Sequence, residues 1–170
     1  MRKQEIYHYY VEGEDEKKLL EVLKREFGCI ESGKVDKFNA VQNKFSVARI
    51  RALKPDTIVV LIYDTDVEDG LDILQYNVDF LNQQKGIKQV VCIPQVENLE
   101  EELLRACNIK SITELTKSDS KTNYKRDLIN CNNLAARLTA CGFNMAKLWN
   151  RTPTNKFKRF GNEAKKIKIS

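Results

Sequence analysis

Two short acidic stretches, Asp64-Thr65-Asp66 and Glu12-Gly13-Glu14, carry the residues whose types and spacing could do chemistry. The first closes the apolar, β-branched run Thr57 to Ile62 and leads towards Gly70, so it reads as a buried strand released into a loop. A strand buried on both faces belongs to a parallel sheet, where ligands sit off the carboxyl ends. The second stretch ends the strand-like run Ile6 to Val11, and Gln95 to Glu97 follow a further run, Gln89 to Ile93. In a parallel sheet these exits share one edge, so their acids can line one crevice despite their distance in sequence. Such a cluster repels itself unless cations neutralise it. Carboxylates with waters and phosphate oxygens suit Mg²⁺, with Mn²⁺ as a substitute. Ions held there could polarise a phosphodiester, orient a water and stabilise the leaving oxygen. Plainer roles fit the same residues: Glu12 complementing a helix dipole, Asp64 and Asp66 as turn residues.

The elements that must position these acids follow from periodicity. After Glu14 the pattern turns helical, with Leu19, Leu20, Leu23 and Phe27 on one face and Gly28 as the stop. A short strand over Lys34 to Phe38 is expected, then a helix over Val41 to Leu53 with Pro55 beyond it. Leu71 to Leu81 has helical spacing, and the strand ending at Ile93 is expected to stop at Pro94. Asn98 can cap the next helix, with Glu101 in the capping-box position, and Ser111 and Glu114 repeat that pattern. A small helix over Leu134 to Cys141 ends at Gly142, and Met145 to Trp149 reads as one more turn. Strands alternating with helices predict an α/β, Rossmann-like fold with a mainly parallel central sheet flanked by helices. The chain divides into a core over 1–108 and a helical, basic C-terminal extension over 109–170 packed on the same domain.

Composition removes several classes. An apolar fraction of 42% with 31% charged residues is that of a globular domain, and no apolar run reaches the ~20 residues of a membrane helix. Met1 to Glu5 lead straight into a strand without a signal-peptide core, which predicts a cytoplasmic protein with no membrane partner. The five cysteines are scattered and never spaced Cys-x-x-Cys, and His8 is the one histidine, leaving no material for a zinc cluster or a histidine triad. Gly28 to Val35 nearly matches a phosphate-binding loop, but Val35 has no hydroxyl for magnesium and the segment follows a helix. It reads as a linker, so no ATPase site is expected. The net charge of +5 is concentrated in the last two dozen residues, where eight lysines and arginines face Glu163 alone. That block suits a phosphate backbone, with Trp149, Phe157 and Phe160 available for stacking, although a solvated tail has the same composition. The candidate nucleic-acid contacts are Lys121, Arg151, Lys156, Lys158 and Arg159.

Val11-Glu12-Gly13 after the first strand, with Asp64-Thr65-Asp66 after a later one, resembles the topoisomerase–primase (Toprim) domain over roughly Ile6 to Leu104. The resemblance is greatest to small stand-alone and defence-associated Toprim nucleases, the overcoming-lysogenization-defect and RloB-like proteins. It implies a Mg²⁺-dependent nuclease cleaving DNA or RNA phosphodiester bonds, with a role in phage defence. Glu12 would be the general acid or base and touch a metal; Asp64 and Asp66 would be the principal Mg²⁺ ligands. Glu97-Asn98-Leu99-Glu100 resembles a third acidic motif of that group, and Glu97, at the strand exit, is taken as its ligand over Glu100 or Glu101. Asp69 and Gly70 echo the family's loop after Asp-x-Asp. These residues are expected to have no room for a topoisomerase's tyrosine domain, and the failed loop at Gly28 is not expected to provide the ATPase fused in the overcoming-lysogenization-defect proteins. What remains is a compact nuclease acting alone or with a separately encoded ATPase or other partner; the alternative is a non-catalytic Toprim-fold module that binds nucleic acid or protein.

Overall fold

The computed structural model describes residues 3–169; Met1, Arg2 and Ser170, which the readings of the N-terminus and the basic tail include, lie outside them. Four strands, β1 (Ile6–Val11), β2 (Gly33–Lys37), β3 (Thr57–Asp64) and β4 (Ile87–Gln95), form one sheet in the order β2-β1-β3-β4. Every pairing in this sheet is parallel, and the central β3 has the run of Val, Ile and Leu buried on both faces that is typical of such sheets. The architecture is α/β and Rossmann-like. Strand order reverses between β1 and β3, which places a ligand crevice beyond the carboxyl ends of those two strands.

Alternation within the strands splits the core into two layers. Tyr7, Tyr9, Val11, Val60, Ile62, Val91 and Ile93 pack with α1 (Glu14–Arg25) and α4 (Leu99–Ala106). Tyr10, Val59, Leu61, Tyr63 and Cys92 pack with α3 (Leu71–Asn82) on the other face. A short α2 (Val47–Arg51) lies between β2 and β3. Residues beyond 108 share the first layer: α5 (Ile112–Thr116), α6 (Tyr124–Ile129) and α7 (Leu134–Ala140) bury Ile112, Leu128 and Leu138 in the same cluster as Leu19 and Leu23. The basic tail is folded rather than free. Glu163 N–H donates to Cys92 O at 2.9 Å, covering the outer edge of β4, and Phe157 is fully buried against Tyr63.

Three local expectations are corrected. The helix over Val41 to Leu53 shrinks to α2, because buried Asn77 takes over the preceding backbone. It accepts from Phe45 N–H (2.8 Å) and donates to Ala40 O and Asn43 O (each 2.8 Å), holding a loop. Pro94 does not stop β4; it pairs with Tyr63 inside the strand, as an edge strand allows. Trp149 and Phe157 are not available for stacking, since both are buried in the core layers. The caps at Asn98 and at Ser111 with Glu114 form as expected. Among the described residues no helix is long and apolar enough to cross a membrane.

Candidate functional site

β1 and β3 end side by side, so Glu12 and Asp64 leave the sheet together at the reversal of strand order. Gly13 then turns the chain into α1, and Glu16, three residues on, folds back so that its Oε2 accepts Gly13 N–H at 3.0 Å. This local cap carries Glu16 to the strand end. Glu12, Glu16 and Asp64 each offer a carboxylate oxygen, and those oxygens lie within 4.8 Å of one another. Asp66 lines the same cavity of about 390 Å³, together with Asp15, Glu100, Tyr124 and Lys125. On the side of β2, the cavity wall is the loop pinned by Asn77, which contributes Asn39, Val41 and Gln42. Gly70 is needed beneath that wall, because a Cβ there would meet Val41 O at 2.3 Å.

The electrostatics of the cluster are those of carboxyl groups crowded together and largely removed from water. Burial pushes the Asp64 carboxyl up to about 8, and the charge of Glu12 and a hydrogen bond shared with it push in the same direction. Gln95, donating to Asp64 Oδ1 at 2.8 Å, works against that rise. Burial likewise raises Glu16 to about 9, reinforced by hydrogen bonding to Asp15 and by the charges of Asp15 and Asp64. Tyr124, which lines the same cavity, is raised by burial and then by the charges of Asp15, Glu100, Glu16 and Asp64. Asp15 is 4% exposed, and its Oδ2 has no hydrogen-bond partner. An orphaned carboxylate oxygen beside three converging ones, in a set made only of oxygens, fits a hard divalent cation such as Mg²⁺ or Mn²⁺.

Of the residues expected from sequence, Glu12, Asp64 and Asp66 meet in the cavity. Glu97 does not line it. Its side chain is exposed while its carbonyl accepts Thr65 N–H at 2.8 Å, and Glu100, in the first turn of α4, lines the cavity instead. Asp69, Lys156 and Arg159 line a separate shallow recess with Glu68 and Asp72. Asn155 ties that part of the tail to the acidic loop, donating to Thr65 O at 2.8 Å. Lys121, Arg151 and Lys158 are exposed and line neither recess. Among the described residues, other cations line the acids' surroundings: Lys125 in the cavity, and Lys37 and Arg49 in an adjoining recess that shares Glu12, Asn39 and Gln42 with it. Sequence reasoning missed Asp15, Glu16, Tyr124 and Lys125. Glu16 had a legible signal, a glutamate at the third helical position after Gly13; Tyr124 and Lys125 had none.

Comparison with protein-family models, with curated proteins and with solved structures returned no match for this chain. The class defined by fold and site is therefore an α/β domain with a carboxylate cluster at its topological switch point.

Proposed function

We propose that the chain is a divalent-cation-dependent nuclease of Toprim type that cleaves phosphodiester bonds in nucleic acid. The observation that carries the reading is the convergence of Glu12, Glu16 and Asp64 within 4.8 Å at the carboxyl ends of β1 and β3. Glu12, Glu16, Asp64 and Asp66 are the residues that would hold the cation. A bound cation supplies Lewis-acid polarisation of the phosphoryl oxygen and a lowered pKa for water. The chain's own part is to bind, orient and handle protons. Lys125 in the cavity and Lys37 and Arg49 in the adjoining recess offer phosphate contacts. Glu12, half-buried and lining both the cavity and the adjoining recess, is the group that would take a proton from an attacking water.

Cleavage of a labelled panel of single- and double-stranded DNA and RNA, with Mg²⁺ or Mn²⁺, tests the proposal. Metal-dependent cleavage by the native chain, lost in Asp64→Ala, is the expected result. Full activity of the Asp64→Ala, Asp66→Ala double variant overturns it. Binding that survives EDTA, with no cleavage of any substrate, is the behaviour of a non-catalytic module and overturns it equally.

A further inference from the structure

Gln95 ends β4 in register with Asp64 and is fully buried. A buried primary amide could present either its oxygen or its nitrogen to a neighbour. Here the choice is made by Trp149, whose indole N–H can only donate. It reaches Gln95 Oε1 at 3.3 Å, so the amide NH₂ is turned towards the acids. Nε2 lies 2.8 Å from Asp64 Oδ1 and 3.5 Å from Glu16 Oε1. The reverse orientation would set a carbonyl oxygen against Asp64 and leave the indole N–H without an acceptor.

Trp149 has little freedom to abandon this role. Its side chain is 1% exposed, its backbone N–H donates to Glu102 Oε2 at 2.9 Å, and its carbonyl accepts from Asn162 Nδ2 at 2.9 Å. Gln95 is fastened as well: its backbone carbonyl accepts Thr65 Oγ1–H at 2.8 Å, which ties it to the Asp64-Thr65-Asp66 loop. Three segments distant in sequence, those of Glu16, Asp64 and Trp149, thus converge on one amide.

We propose that Gln95 is a positioning residue for the acidic site, and that Trp149, from the C-terminal segment, fixes the amide orientation in which Asp64 and Glu16 present oxygens to a divalent cation. The inference rests on reading the cluster as a cation site. A neutral donor suits such a position, because it restrains a carboxylate oxygen without adding a positive charge that would compete with the cation. Groups that orient metal ligands in this way typically change metal affinity 10–100-fold when removed.

The test uses the full chain and Mn²⁺ alone, following free Mn²⁺ by electron paramagnetic resonance, with thermal unfolding of the metal-free protein alongside. Trp149→Phe keeps an aromatic ring but removes the N–H; it is expected to weaken Mn²⁺ binding roughly tenfold. Gln95→Met, which removes both donors, is expected to weaken it by roughly 10–100-fold. In cleavage assays both variants should need more Mg²⁺ for half-maximal rate while approaching the native rate at saturation, a split that a merely loosened fold would not produce. Either variant suffices if the other fails to fold. Native Mn²⁺ affinity in a folded variant overturns the positioning role and leaves the cation site standing. A native chain that binds no Mn²⁺ overturns the cation site, and the positioning role with it.

Discussion

Two buried carboxylates at the starts of two helices behave in opposite ways. Glu102, in the first turn of α4, is fully buried and fully engaged: it accepts from Val96 N–H (2.9 Å), Trp149 N–H (2.9 Å) and the Arg105 guanidinium (2.8 Å). Glu16, in the first turn of α1, is equally buried at 3% exposure, but its neighbours are Asp15, Asp64 and Glu12. One acid is surrounded by donors that make its charge structural. The other has the Gly13 N–H and the Gln95 amide but is crowded by acids, so it keeps its proton until a cation takes its place. Burial alone does not distinguish a structural carboxylate from a site carboxylate; the sign of its partners does.

Breaking the structural member should give the largest effect. Glu102→Ala strands Arg105 and two backbone N–H groups, and should cost about 3–5 kcal/mol in urea unfolding. Glu16→Gln replaces a carboxyl that holds its proton to about 9 with a neutral amide of similar size, so its unfolding midpoint should match the native one near pH 7 and exceed it above about pH 9. The site member carries the loss of function: Asp64→Asn should lower metal-dependent cleavage by at least about 100-fold without lowering the midpoint.

The pH dependence sharpens the contrast further. Asp64 and Glu16 hold their protons to about 8 and about 9 in the folded chain, against 3.8 and 4.5 for the free groups. Between those values the folded state binds more protons than the unfolded state, so stability must fall as pH rises. It is fully present below about pH 4 and lost through about pH 8–9. Metal-free protein should therefore melt at a lower temperature at about pH 8.5 than at about pH 6, by ~2–4 °C per kcal/mol. Mg²⁺ should raise the melting temperature more at the higher pH, because it binds the deprotonated acids. The smallest effect tests the cavity's own cation: Lys125→Gln should reduce the salt dependence of nucleic-acid binding by about one phosphate contact, while Lys158→Gln should leave it nearly unchanged.

Much of the framework was legible from sequence. The strand exits at Val11 and Asp64 were marked by β-branched runs ending in acids, and parallel pairing forces such exits to one edge. The helix caps at Asn98 and Ser111 were legible because capping is a contact between residues three apart. The misreadings all involve distant partners. Val41 to Leu53 has helical spacing, yet Asn77 claims its backbone from another helix. Trp149 and Phe157 sit among lysines and arginines in the sequence, and nothing local says that β4 and Tyr63 will bury them. Glu97 follows a strand as Glu12 does, but its side chain turns to solvent while Glu100 lines the cavity.

The sequence by itself determined the alternation of strands and helices, the parallel sheet and the edge at which Glu12, Asp64 and Asp66 emerge, because these follow from periodicity and chain direction. Only the tertiary structure decided which further groups join them. Glu16 reaches the site through a helix cap, Tyr124 and Lys125 through the docking of α6, and the Gln95 amide takes its orientation from the hydrogen bond to Trp149. Those partners lie up to 113 positions from Glu12 in the chain, and residues that far apart meet only when hydrophobic layers bring their elements together.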